Sequence, residues 1–205
     1  MGFRIKHTII YNYMKKILIL EGIASSGKTT LEKLLVARLN DSIILSENYT
    51  LMPIIDNRNI DIALAHLQKQ IQTIVDSSAQ NIIVDRFHLT HAFRTQSDLD
   101  AFSEIEDGLQ KAGNVLIVLL TIDPERIRER VEETVLHRKD NWKKGAPGNI
   151  AGKAAYYAKQ QEVLLSLLPI SRLPSITINT SDKSWTDYAD AIQKKLTIQN
   201  ASEKK

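Results

Sequence analysis

The sequence predicts an α/β fold in which a mostly parallel sheet carries helices on both faces. Three observations lead there: short continuous apolar runs, helically spaced segments that alternate with them, and a glycine-flanked turn between the first run and the first helix. The runs lie at 17–20, 43–45, 82–84, 115–120 and 176–178, and their Ile, Val and Leu content is that of strands buried on both faces. Helical spacing appears at 29–39 with Leu31, Leu34, Leu35 and Leu39, and at 61–75 with Ile62, Leu64, Leu67, Ile71 and Ile74. Asp123 before Pro124 reads as an N-cap acid ahead of an N1 proline, opening a helix through Val131 and toward Leu136. Helices at 156–168, stopped by Pro169, and at 185–196 complete the series. Such alternation calls for right-handed crossovers between parallel strands.

The chain has 205 residues, enough for one domain with a sizeable core, and neither an internal repeat nor an interdomain linker interrupts it. Its 43% hydrophobic and 25% charged residues are ordinary globular usage, which excludes a collagenous or disordered chain. No apolar run approaches the roughly 20 residues of a membrane-spanning helix. The absence of cysteine removes disulfides, thiolate nucleophiles and Cys-ligated metals, and it fits a cytoplasmic protein. The net charge of +3 is too small to imply a nucleic-acid partner. Residues 1–14 read as a plain N-terminal extension, because no apolar core or small-residue cleavage site follows Arg4 and Lys6.

Chemistry concentrates at residues 22–29, Gly22-Ile23-Ala24-Ser25-Ser26-Gly27-Lys28-Thr29, where four residues separate two glycines and Lys-Thr follows. This is the phosphate-loop pattern, and it stands between a strand and a helix as its mechanism requires. Main-chain N–H groups from Gly22, Ala24, Ser25, Ser26 and Gly27 through Thr30 would surround a β-phosphate, aided by the positive end of the helix. Lys28 reaches β- and γ-phosphate oxygens and the Thr29 hydroxyl ligates Mg²⁺, so ATP with Mg²⁺ is the expected cofactor. Two carboxylates end neighbouring runs, Glu47 after 43–45 and Asp85, followed by Arg86, after 82–84. Open parallel sheets gather ligands at such strand ends, where one carboxylate serves the metal and its waters and the other an acceptor. A basic, glycine-punctuated stretch at 137–152 looks like a loop.

Together Glu21-Gly22 leading into Gly27-Lys28-Thr29-Thr30, the strand end at Glu47, Asp85-Arg86-Phe87, and Asp123-Pro124-Glu125 before an Arg-rich helix resemble the thymidylate kinase and deoxynucleoside kinase family of phosphate-loop kinases. The resemblance spans about residues 15–198, leaving 199–205 as a tail. It implies a three-layer P-loop NTPase fold whose five-stranded parallel sheet has the order 2-3-1-4-5, with 137–152 as a lid that brings Arg138 to the transferring phosphoryl and residues 179–182 against adenine. It also implies catalytic roles for Lys28, Glu47, Asp85, Arg86 and Arg138, and metal contacts from Thr29 and Asp85. A small-molecule acceptor is implied, a deoxynucleoside or a nucleoside monophosphate, and kinases of this type pair through surface helices, which allows a homodimer. Glu47-Asn48-Tyr49-Thr50 departs from the Glu-Pro-Gly-Gly of bacterial thymidylate kinases. Kinase activity toward another small alcohol, or a nucleotide-dependent ATPase or switch, remains the alternative. Phe87, Phe93 and Arg94 read as a wall for a base or phosphate, or as core packing beside a surface cation. Gln70 reads as an exposed helix residue, and His88 and His91 as polar residues on one helix face.

Overall fold

The computed structural model describes residues 14–137 and 148–202. Of the expected extension only Met14 lies among them, and Arg138 with most of the basic loop lies outside them. Five strands, β1 (Lys15–Gly22), β2 (Ser42–Leu45), β3 (Asn81–Asp85), β4 (Gly113–Thr121) and β5 (Ser175–Asn179), form one sheet in the order β2-β3-β1-β4-β5. Every neighbouring pair is parallel, with Ile17 opposite both Ile82 and Val115. Fold class and strand order are therefore those expected.

The helices are α1 (Lys28–Arg38), α2 (Glu47–Thr50), α3 (Ile60–Asp76), α4 (His88–Thr95), α5 (Ser103–Ala112), α6 (Ile127–His137), α7 (Ile150–Leu167) and α8 (Trp185–Ser202). Alternate side chains of β1 point to opposite faces, and this separates the core into layers. Ile17 and Ile19 pack with Leu67 and Ile74 of α3, Leu89 of α4, Leu109 of α5 and Leu164 of α7. Leu18 and Leu20 pack with Leu31 and Leu35 of α1 and with Ala189, Ile192 and Leu196 of α8. A smaller cluster of Ile23, Ala24, Ile127, Val131 and Tyr157 ties the turn after β1 to α6 and α7.

Several sequence expectations change. The strands β2 and β5 are edges and only partly buried, because the strand order gives each a single neighbour. The basic stretch does not extend to 152: α7 begins at Ile150, where Asn149 caps it by accepting a hydrogen bond from Gly152 N at 2.7 Å. The final helix α8 runs to Ser202, past the expected boundary at 198. Asp123 does not cap the turn at Pro124; its carboxylate accepts from Asn179 Nδ2 at 2.5 Å.

Candidate functional site

Gly22 ends β1 with φ +140°, and a Cβ there would lie 2.5 Å from the Leu120 carbonyl oxygen. Gly27 stands before α1 at φ +88°, where a Cβ would fall 2.1 Å from the Trp185 ring. Only glycine satisfies both the left-handed backbone and the close approach. Between them Ser25 adopts φ +71°, and its carbonyl accepts from Arg130 Nη2 at 2.9 Å. The carbonyl of Ser26 accepts from Thr180 Oγ1 at 3.0 Å. The loop is thus held from outside, while the hydroxyls of Ser25 and Ser26 are buried without partners among the described residues. Lys28 Nζ donates to the carbonyls of Gly22 and Ile23, each at 3.1 Å. Burial, then the nearby Arg86 charge, lowers the Lys28 pKa to about 8 against the opposing pull of Asp85, Glu47 and Glu21. An anion in the loop would relieve that penalty. Ala24 sits beside the turn, and Thr29 and Thr30 face the same cleft from the start of α1.

Asp85, Arg86 and Glu47 meet where β3 and β2 end. Arg86 has φ +65°, its N–H donates to Leu20 O at 2.9 Å, and Nη1 donates to Gly22 O at 2.8 Å. Its Nε lies 3.0 Å from Glu47 Oε1. Burial disfavours the Arg86 charge, but Glu47, Asp85 and Glu21 outweigh it and hold the guanidinium protonated. Arg86 is therefore a strut between the phosphate loop and Glu47. Asp85 is 4% exposed, and its Oδ1 is buried with no hydrogen-bond donor among the described residues. Behind it on α1, burial and the adjacent Asp85 carboxylate raise the Glu32 pKa to about 8.

Two clamps that pattern reading missed fix this arrangement. The Glu21 carboxylate, fully buried, accepts from the N–H groups of Phe87 (2.9 Å) and Thr90 (3.2 Å) and from the Thr90 hydroxyl. It locks the turn carrying Asp85 and Arg86 to the phosphate-loop strand. An acid inside an otherwise apolar strand was its signal in the sequence. The Thr50 carbonyl at the end of α2 meets His66 Nε2 (3.1 Å), Gln70 Nε2 (3.1 Å) and His91 Nε2 (3.2 Å). The Thr50 hydroxyl donates to Asp85 O. Gln70 is accordingly 1% exposed rather than a surface residue, and His88, buried against Glu106 at 3.1 Å, belongs to the core with Phe87. Burial lowers the His91 pKa to about 4.

A cleft of about 580 Å³ joins these parts. Arg130, Glu133, Lys183 and Trp185 are among its lining residues. Arg130 Nη1 donates to Thr180 O at 2.9 Å and its guanidinium lies 5.7 Å from the Trp185 ring centre. Lys183 Nζ donates to both Glu133 carboxylate oxygens at 2.9 Å. In the stretch 179–182, expected against adenine, Thr180 braces the phosphate loop, and Lys183 and Trp185 just beyond it line the cleft. Leu51, Met52, Ile55, Arg94, Tyr156 and Gln160 also line the cleft, and Tyr157 lines it beside the phosphate loop. Burial, then Arg58 and Arg86, lowers the Arg94 pKa, while Tyr156 and Asp56 favour its charge.

Among the described residues no group of three or more His, Asp and Glu is arranged to hold a metal ion. Mg²⁺ that arrives with phosphates needs no such cage: it keeps waters and takes one or two protein oxygens. Thr29 and Asp85 supply hard oxygens on one cleft, and the unpartnered Asp85 Oδ1 fits that demand.

No protein-family model and no curated protein sequence matches the chain. Solved structures do match in fold. The YorR protein from Bacillus subtilis, solved in complex with phosphorylated GDP, superposes with a TM-score of 0.64 at 18% identity, covering 90% of this chain and 98% of that one. Thymidylate kinase from Candida albicans gives 0.58 at 16% identity over 91% and 93% of the two chains. Shikimate kinase from Bacteroides thetaiotaomicron gives 0.59 at 13% identity over 90% and 99%. The chain therefore has the three-layer fold shared by phosphate-loop kinases.

Proposed function

We propose that the protein is a cytoplasmic phosphotransferase that moves the γ-phosphoryl group of ATP to a small acceptor, a deoxynucleoside or a nucleoside monophosphate. The observation that carries this is one cleft lined together by the phosphate loop, by Asp85, Arg86 and Glu47, and by apolar and aromatic side chains. Solved neighbours in fold include a complex with phosphorylated GDP and a thymidylate kinase, which supports nucleotide chemistry on this scaffold.

Loop N–H groups and the start of α1 bind the β-phosphate. Lys28, released from the carbonyls of Gly22 and Ile23, turns to the β- and γ-oxygens. Thr29 and Asp85 would hold Mg²⁺, which would supply neutralisation of charge on the phosphate oxygens. Arg86 keeps Glu47 and the loop in register, and Arg138, outside the described residues, is assigned to the lid from the sequence resemblance. Glu47, ion-paired through Oε1, accepts the proton of an acceptor hydroxyl or orders the acceptor sugar. Phosphoryl transfer asks little more than this positioning and charge stabilisation.

The test is a panel of nucleosides, nucleoside monophosphates, shikimate-type alcohols, sugars and aminoglycosides incubated with γ-labelled ATP and Mg²⁺. Label on a nucleoside or nucleotide supports the reading. Label on another alcohol replaces the acceptor, and ATP hydrolysis with no labelled product replaces the reaction with that of an ATPase or switch.

A further inference from the structure

Three consecutive residues at the end of β1, where it enters the phosphate loop, hold the turn that carries Asp85 and Arg86. The Leu20 carbonyl accepts from Arg86 N at 2.9 Å, and the Gly22 carbonyl accepts from Arg86 Nη1 at 2.8 Å. Between them the Glu21 carboxylate accepts from the N–H groups of Phe87 at 2.9 Å and Thr90 at 3.2 Å, and from the Thr90 hydroxyl. Glu21, Phe87 and Thr90 are all fully buried. Helix α4 starts at His88, and its N-cap residue Phe87 makes no side-chain cap for the first N–H groups. Glu21 supplies that cap from another strand.

The turn needs such a hold. Arg86 sits at φ +65°, a left-handed backbone that a residue with a side chain keeps only where its surroundings enforce it. Asp85, immediately before it, has an Oδ1 that is buried and without a donor among the described residues. That oxygen serves a cation only while the turn keeps it aimed, since Mg²⁺ demands near-ideal octahedral geometry. Charge is the lesser part of what Glu21 brings. Asp85 and Glu47 each favour the charges of Lys28 and Arg86 more than Glu21 does. Glu21 is also not among the residues lining the cleft, so it acts on a ligand only through others. Its contribution is reach: the carboxylate arrives where three donors at the start of α4 converge.

We propose that Glu21 is a positioning residue that sets Asp85 for its metal contact by capping α4 from the phosphate-loop strand. Because β1 also leads into the loop, one strand places both the phosphates and a protein oxygen for the Mg²⁺ that accompanies them. The proposal rests on the role given to Asp85 in the phosphotransferase reading above.

The test separates reach from charge. Glu21→Gln keeps an acceptor in place and loses the charge, whereas Glu21→Asp keeps the charge and withdraws the acceptor by one methylene. Glu21→Ala loses both, and the other two variants decide the matter should that one not fold. Affinity for a nonhydrolysable ATP is measured by calorimetry with Mg²⁺ and with EDTA, and kcat and KM are measured for any acceptor that is phosphorylated. Wild type should bind about 10-fold or more tighter with Mg²⁺ than with EDTA. Glu21→Gln should keep most of that gain; Glu21→Asp should lose it while its affinity in EDTA changes by less than about 3-fold. Misplacement of Asp85 should also lower kcat by about 100-fold in Glu21→Asp and by less than about 10-fold in Glu21→Gln. The opposite ranking would make Glu21 a counter-charge, and an unchanged Mg²⁺ gain in every variant would make it a stability residue; either result overturns the proposal. No nucleotide binding by wild type, or no gain from Mg²⁺, would overturn the metal role of Asp85 and this proposal with it. Nucleotide binding without transfer to any acceptor would sink the transferase reading alone, because the Mg²⁺ gain still ranks the variants.

Discussion

Replacing Gly27 by alanine tests how the phosphate loop is built. Two separate costs meet at this residue. Its φ of +88° is left-handed, which costs a residue with a Cβ about 1–2 kcal/mol. The new methyl would also sit 2.1 and 2.4 Å from two carbons of the Trp185 ring, so the ring must leave its place beside Arg130 and Tyr188. Overpacking of this sort costs about 1–3 kcal/mol. The single change should therefore destabilise the protein by about 2–5 kcal/mol. In a Trp185→Ala background only the backbone cost should remain, leaving a coupling of about 1–3 kcal/mol between the two sites. Urea denaturation of wild type, both single variants and the double variant measures this. Additivity within about 0.5 kcal/mol would refute the claim that Trp185 seats on Gly27.

The remaining predictions concern acid sensitivity, the donor end and the acceptor end. His91 has its pKa lowered by burial to about 4, so the unfolded chain binds the extra proton first; stability is full above about pH 6.5 and falls by about 3 kcal/mol as pH drops toward 4. His91→Gln, which can still donate to Thr50 O, should flatten that stretch of a stability-versus-pH curve, and an unchanged slope would contradict the assignment. Burial works against the Glu106 charge, but hydrogen bonds from His88, Ser171 and Arg172 lower its pKa to about 2. Its contribution is present above about pH 4.5 and lost below, and Glu106→Gln should remove that second acid-dependent step. Arg130→Met removes donors to Ser25 O and Thr180 O, so affinity for a nonhydrolysable ATP should weaken at least 10-fold by calorimetry with little change at the acceptor slot. Glu47→Gln should nearly abolish transfer to a hydroxyl acceptor and only reduce transfer to a phosphate acceptor; equal, small effects would remove Glu47 from the chemistry.

The sheet was legible because three of its strands are buried on both faces and carry unbroken apolar runs; Ile17, Leu18, Ile19 and Leu20 are all 0–2% exposed. The phosphate loop was legible because its spacing encodes local backbone geometry. Less visible were α2 and α5, of four and ten residues, whose apolar periodicity is too short to register. The clamps were hidden for a different reason. Glu21 meets Thr90 across 69 positions, Arg130 meets Ser25 across 105, and Gln70 meets Thr50 across 20. Polar residues held by such distant partners look like surface residues in any local window, which is why Gln70 read as exposed and the burial of the α4 histidines did not show. Arg94 was legible as a candidate wall for a base or phosphate and does line the cleft, whereas Phe87, offered with it, is buried in the core.

The whole account turns on a polyphosphate seated against the loop at 22–29, and calorimetry of a nonhydrolysable ATP with Mg²⁺ addresses it most directly. Wild type should take up one equivalent, and Lys28→Ala, folded to the same circular dichroism spectrum, should lose at least 100-fold in affinity, about 3 kcal/mol. Equal binding by both proteins, or no heat with wild type at millimolar nucleotide, would contradict it.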